Sequence, residues 1–271
     1  MNDIIALLTA PFIVRALIAA ILTGMLAPAM GVYIVQRQMS MLGDGLGHLA
    51  IAGVGLALVT GTAPLPLAMV VCVLGAIGIE WARTRTKLNG DLALAVLFYG
   101  GLATGVVLAG KAGAGAAGLS SFLFGSLTSV TNQDLWIIGV CTALVLGCTT
   151  LFQPQLIAVH ADPEMAQTQG LNVGRYNTIV MVAAALTVAI SLRTVGVLLV
   201  ASLMVIPVGS ARNITFGFAR IRRLSVLFGV FGAVVGMVTS VIADSAPGAT
   251  TVLITIGIFV LTAFSAARRL H

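Results

Sequence analysis

The chain has 271 residues, of which 59% are apolar and only 8% charged, with a formal net charge of +6. A soluble domain carries about 25% charged residues, and so few charges cannot cover a water-facing surface; a soluble fold is excluded. Most Lys and Arg stand between apolar runs, which is the pattern of membrane topology and not of a nucleic-acid surface. Cys72, Cys141 and Cys148 are scattered inside apolar stretches and form neither a disulfide framework nor a zinc motif.

A bilayer core of about 30 Å needs about 20 apolar helical residues. On that measure the sequence predicts spans at 13–36, 41–60, 65–82, 92–110, 135–153, 176–192, 194–211, 224–243 and 250–267. The expected fold is therefore all-α, a polytopic membrane bundle of about eight or nine transmembrane helices. Asp3 is the only charge before Arg15, so no basic n-region precedes the first apolar run, 16–35, and that run exceeds a signal h-region; no cleavable leader is expected. The second and third spans are separated by Thr60-Gly-Thr-Ala-Pro-Leu-Pro66, a turn signal with two prolines. The stretch 119–131 is apolar but short and rich in Ser, Thr and Gly, and reads as a partial or re-entrant element.

Arg37, Arg83, Arg85, Lys87, Arg175, Arg212, Arg220, Arg222, Arg223, Arg268 and Arg269 fall on one set of connections, and only Arg15, Lys111 and Arg193 on the other. Positive residues favour the cytosolic side, which puts the C-terminus in the cytosol. The longest connection on that side, 152–176, holds a small helix signal. Asp162 is a capping residue, Pro163 suits the first helical position, Glu164 favours the positive dipole end, and Gly170 supplies the stop. It reads either as a solvated loop helix or as a docking handle for a soluble partner.

Charges inside hydrocarbon are costly and point to function. Most charges flank the spans; the exception is Gly43-Asp44-Gly-Leu-Gly-His48-Leu-Ala50, which opens an otherwise apolar helix and places His48 one turn after Asp44. Side chains four apart share a helix face, so a carboxylate oxygen and an imidazole nitrogen can reach one metal ion at about 2.0–2.2 Å, and both suit Zn²⁺ or Mn²⁺. The alternative is a structural Asp–His hydrogen bond near the headgroups. The surrounding glycines serve either an ion or a close neighbouring helix. Asp134 and Asp244, at the outer span ends, read as caps or anchors. Residues 105–111 match most of a phosphate loop, but Ala112 stands where Ser or Thr is needed; no ATP site of its own is expected, and no catalytic residue.

Five blocks resemble a known family. They are Gln36-Arg-Gln-Met-Ser-Met-Leu-Gly-Asp44-Gly-Leu-Gly-His48, Phe122-Leu-Phe-Gly-Ser-Leu through Asp134, Asp162-Pro-Glu-Met-Ala166 with Gly170, Val195 through Pro207 to Ala211-Arg212, and Ala246-Pro-Gly-Ala-Thr250. In this order they are similar to the permease subunits of bacterial ABC importers for zinc, manganese and iron, the ABC-3 family. The resemblance implies one transmembrane permease domain over 1–271 in the bacterial cytoplasmic membrane, with a cytosolic coupling segment at about 153–175. It implies cytosolic ATP-binding subunits that hold the ATP, an extracytoplasmic metal-binding protein, and a second permease copy, a homodimer first. Asp44 and His48 become metal contacts for the transported Zn²⁺ or Mn²⁺, with no permanently bound cofactor. Asp162, Pro163, Glu164, Ala166 and Gly170 become the ATPase-coupling helix. Two rival readings are an ion-gradient-driven metal transporter and an intramembrane aspartyl hydrolase; the second lacks a second intramembrane acid.

Overall fold

The computed structural model describes residues 10–85, 90–113, 115–126 and 130–268. Among the described residues the fold is all-α. The helices are α1 (Pro11–Gln36), α2 (Leu42–Thr60), α3 (Pro64–Arg85), α4 (Gly90–Lys111), α5 (Gly115–Phe124), α6 (Asn132–Leu151), α7 (Gln153–Ala161), α8 (Pro163–Thr168), α9 (Val173–Ser191), α10 (Val197–Ile214), α11 (Phe218–Ala243) and α12 (Pro247–Ala267). Lys87 and Arg269 lie outside the described residues.

Eight of these helices are long and apolar enough to cross a membrane, and the chain is a multi-pass membrane protein. The ninth expected span corresponds to α10, whose apolar part, Leu199–Ile214, is shorter. The reason is tertiary. The connection from α9 to α10 does not reach the end of the bundle: Thr194 Oγ1 donates to Thr23 Oγ1 at 3.2 Å, and Thr23 lies at the middle of α1. The short α5 fills the space above it. There Gly125 and Gly196, both with positive φ, meet backbone to backbone, and Gly248 at the start of α12 presses on the carbonyls of Val195 and Phe124. Of the stretch expected to be partial or re-entrant, 119–131, residues 119–124 form the second half of the ten-residue α5, which ends at Phe124; residues 127–129 lie outside the described residues.

One end of the bundle is fixed by polar ties. Tyr33 in the last turn of α1 donates its hydroxyl to the Thr149 carbonyl of α6 at 3.2 Å, and Arg222 of α11 donates to Gln153 of α7. The ends of α1 and α6, the start of α11 and the α7–α8 segment therefore share this end. Helix α11 begins six residues before its predicted span, at Phe218, because Arg is a good helix former and its long stem reaches outward from an apolar helix; charge marks the membrane border without ending the helix. At the opposite end, Thr131 and Asp134 form a reciprocal capping box on α6, and Asp134 also faces Arg193 at 3.7 Å. The Arg193 guanidinium lies 5.2 Å above the Phe122 ring of α5. Asp244 is the left-handed C-cap of α11.

Outward faces are apolar. Val70, Leu74 and Ile77 on α3, Trp136, Val140 and Leu144 on α6, and Leu253, Leu261 and Phe264 on α12 are exposed. Exposed apolar stripes of this extent suit lipid and not water.

Candidate functional site

Helix α2 is the most enclosed of the spans around the candidate site, and its glycines explain how. A methyl at Gly43 would meet Ala201 of α10 at 2.9 Å, and one at Gly47 would meet Val197 at 2.9 Å. Gly55 stands 2.7 Å by the same measure from the Gly105 carbonyl of α4, and Gly53 is 2.6 Å from Ala68 of α3. The glycines accommodate neighbouring helices, by the close approach that membrane packing favours. From the other side, Gly101 of α4 abuts the backbone of His48 and Leu49. Gly105, inside the phosphate-loop-like stretch, is helical and packs on Ile51.

Asp44 and His48 lie on one continuous helix. Helix α2 starts at Leu42, so Asp44 stands in its first turn, where the positive dipole end favours a carboxylate. Asp44 lines a cavity of about 320 Å³ with Met41, Gly45 and, from α4, Leu94, Ala95, Phe98 and Tyr99. It is the one charged residue in that lining. His48 is one turn deeper and only 7% exposed. Its ring meets Phe98 edge-on, with centroids 3.9 Å apart. Its Nδ1 is buried with no hydrogen-bond partner. No hydrogen bond joins Asp44 to His48, so the structural-pair alternative finds no support in the geometry. An unsatisfied buried nitrogen costs about 1–3 kcal/mol and is able to take up a water or an ion. Among the described residues no group of three or more His, Cys, Asp or Glu side chains converges. Asp44 and His48 place one carboxylate and one imidazole on the same helix, four residues apart.

The second candidate region is α7–α8. Asp162 has extended backbone and its Oδ1 accepts from Met165 N at 3.0 Å, with Pro163 at the first helical position. Gly170 adopts φ +82. Its N–H donates to the Gln167 carbonyl, and that of Leu171 to the Ala166 carbonyl, each at 3.0 Å, the paired C-terminal bonds of a Schellman stop. Glu164 and Met165 are exposed, but Ala166 is 2% exposed. Ala166 is thus the foot on which the helix rests, and its exposed neighbours form the outward surface.

The segment is anchored through a group whose part the sequence did not reveal. His160, in the last turn of α7, donates from Nδ1 to the Leu156 carbonyl. Its ring lies edge-on to Tyr33 at 6.0 Å, and Tyr33 in turn packs on Phe218 at 5.0 Å. Burial pushes the His160 pKa down to about 4; the Leu156 hydrogen bond opposes this and the Arg37 charge adds to it. The imidazole is neutral at pH 7, and works as a packing piece between α7 and α1. The one available signal was Leu156 four residues before, which places His160 on the buried face of a short helix.

The chain as a whole is similar to known proteins. The model of the ABC 3 transport family matches residues 9–266. The chain belongs to this family. It is 30% identical over 253 residues to the high-affinity zinc uptake system membrane protein ZnuB of Haemophilus influenzae, covering 93% of this chain and 97% of that one. It is 32% identical over 260 residues to the manganese transport system membrane protein MntC of Halalkalibacterium halodurans, with 95% and 88% covered. Among solved structures it superposes on PsaBC from Streptococcus pneumoniae in complex with Fab, with a TM-score of 0.87, 28% identity, and 96% and 94% of the two chains covered. The protein is an ABC transporter permease by family, and its similarity spans nearly the whole chain.

Proposed function

We propose that this permease moves a divalent transition metal ion into the cytoplasm as the membrane subunit of an ATP-driven importer. The carrying observation is the α2 turn: a carboxylate facing a cavity and, one turn on, a buried imidazole nitrogen without a partner. Two donors are too few to trap an ion, since resident zinc sites take four ligands or three with an open position. A transient stop along a conduit needs that weakness. A second copy of the chain, presenting the same turn, would supply further donors while the ion crosses.

Oxygen and nitrogen donors serve zinc, manganese and iron alike, and the relatives named for zinc and for manganese support the class and not one metal. Zinc is our first assignment. The basic end of the bundle is the cytosolic one on the positive-inside rule, which also puts the C-terminus there. Helix α8 then faces the cytosol and serves as the handle for separate ATP-binding subunits, with Glu164 and Met165 as contact surface and Ala166 as seat. An extracytoplasmic binding protein delivers the ion at the opposite end. ATP-driven closure of the partner subunits moves α8 and tilts the helices around α2.

The test is uptake of ⁶⁵Zn and ⁵⁴Mn by cells or proteoliposomes holding the whole transporter. Asp44→Ala and His48→Ala should each abolish uptake while the ATP-binding subunits still copurify. Normal uptake by both variants refutes the site. Uptake without ATP or the ATP-binding subunits would instead favour a gradient-driven transporter. Glu164→Trp should release the ATP-binding subunits from an otherwise folded permease; an intact complex refutes the docking role.

A further inference from the structure

A cavity of about 490 Å³ opens between the start of α7 and the first turns of α11, lined by Gln153, Ala219, Arg222, Arg223, Val226 and Leu227. Its volume lies in the range of small-molecule sites, roughly 300–1,000 Å³. The sequence builds it from one stripe of α11. Ala219, Arg223 and Leu227 follow at intervals of four, and Arg222 and Val226 stand beside them at the same interval, so one face is basic at its start and apolar one turn further on. No carboxylate enters the lining.

Arg222 is held in place for an anion. Its Nη1 donates to Gln153 Oε1 at 3.0 Å and its Nη2 to Thr149 Oγ1 at 3.4 Å. Both partners are neutral, so its charge is not cancelled, and a guanidinium with five N–H groups keeps donors to spare. Arg223 is exposed beside it. The deeper part of the cavity is different in kind. Val226 and Leu227 belong to a membrane-crossing helix, and Leu227 is 62% exposed. A phosphate alone would use the arginines and leave this apolar part empty. An acidic protein surface would also stop at the arginines, because it cannot follow α11 into hydrocarbon. A phospholipid fills both parts, and basic pockets between transmembrane helices at the membrane border bind anionic headgroups.

We propose that this cavity is an anionic-phospholipid site, with the phosphate on Arg222, Arg223 and Gln153 and an acyl chain along Val226 and Leu227. Gln153 is the first residue of α7, which leads directly into α8. The lipid therefore sits at the root of the exposed handle and fixes the angle at which α7 leaves the membrane surface. The site needs only the membrane placement of the chain, so its failure would leave the metal reading untouched.

Native mass spectrometry of the full-length protein in detergent, titrated with phosphatidylglycerol, phosphatidylcholine or inorganic phosphate, tests it. Phosphatidylglycerol should be retained over phosphatidylcholine. Arg222→Gln and Arg223→Gln should each weaken it about fivefold, the factor expected for one basic residue at a membrane surface, while Arg268→Gln, at the same end but outside the cavity, should change nothing. Among the described residues the Arg223 side chain makes no hydrogen bond, so its variant keeps the fold even if Arg222→Gln loosens α7. Equal retention of both lipids, unchanged affinity in both cavity variants, or an equal loss in Arg268→Gln overturns the proposal. So does inorganic phosphate that competes at equal concentration, which would make this a free-anion site. Displacement of the lipid by added ATP-binding subunits would assign the cavity to a protein partner and overturn it too.

Discussion

The turn of α2 that carries Asp44 and His48 and the segment that carries α8 are both polar interruptions in an apolar chain, and they are held in opposite ways. The α2 turn has no side-chain cap of its own. It is positioned by α10 on one side, through Gly43 and Gly47, and by α4 on the other, through Gly101. Helix α8 is held by its own ends: Asp162 at the start, Gly170 at the finish, and one buried methyl, Ala166, underneath. A site defined by its neighbours fails when they move. A site defined by local bonds fails one bond at a time.

The sharpest way to break this contrast is at Gly101, where an added Cβ would stand 2.7 Å from Leu49 N and 2.8 Å from His48 O. Gly101→Val should lower stability by about 3 kcal/mol, the upper end of an overpacking cost, and abolish metal uptake although no donor has changed. A thermal melt in detergent beside an uptake assay reads both; wild-type values would mean that α4 does not position His48. Ala166→Leu should cost about 2 kcal/mol and open the α7–α8 connection to limited proteolysis, with the rest of the bundle intact. Gly170→Ala forces a side chain into the left-handed region for about 1–2 kcal/mol, and Asp162→Ala loses a cap worth about 1 kcal/mol. For these two, hydrogen exchange should accelerate at the amides of Leu171 and Met165 respectively; protection left unchanged would show that tertiary contacts, not the caps, hold α8.

The smallest effect is expected from mild acidification, to about pH 6. His160 titrates near 4 when folded against 6.5 when free, so protons bind the unfolded chain more readily. The stability it contributes is complete above about pH 6.5 and is lost as pH falls toward 4; at pH 6 the loss is roughly 1 kcal/mol. His160→Gln should flatten that part of the stability profile. A variant as acid-sensitive as the parent would remove His160 from the account.

Legibility in the sequence follows the same division. The caps of α8 could be read because Asp162, Pro163 and Gly170 act on atoms two to four residues away. The spans could be read because hydrocarbon demands about 20 apolar residues whatever the neighbours do. The start of α10 inside the bundle, at Val197 and not at 194, could not, because the connection before it is tied by a bond between Thr194 and Thr23, far apart in the chain. The inward direction of Ala166 was hidden for the same reason: a six-residue helix has too few turns to show a periodic face. Asp44 and His48 were found by charge and spacing, but the cavity beside one and the unsatisfied nitrogen of the other come from α4 and Phe98.

Around Gly125, Gly196 and Gly248, three chain segments approach backbone to backbone, with the Leu199 side chain alone beside Gly248. Such a joint has no compressible layer. The first turn of α12 thus bears directly on the end of α5 and on the connection that leads into α10. None of the three positions can grow by even a methyl unless the backbone facing it retreats, which ties the substitutions tolerated in one stretch to the path of another far along the chain.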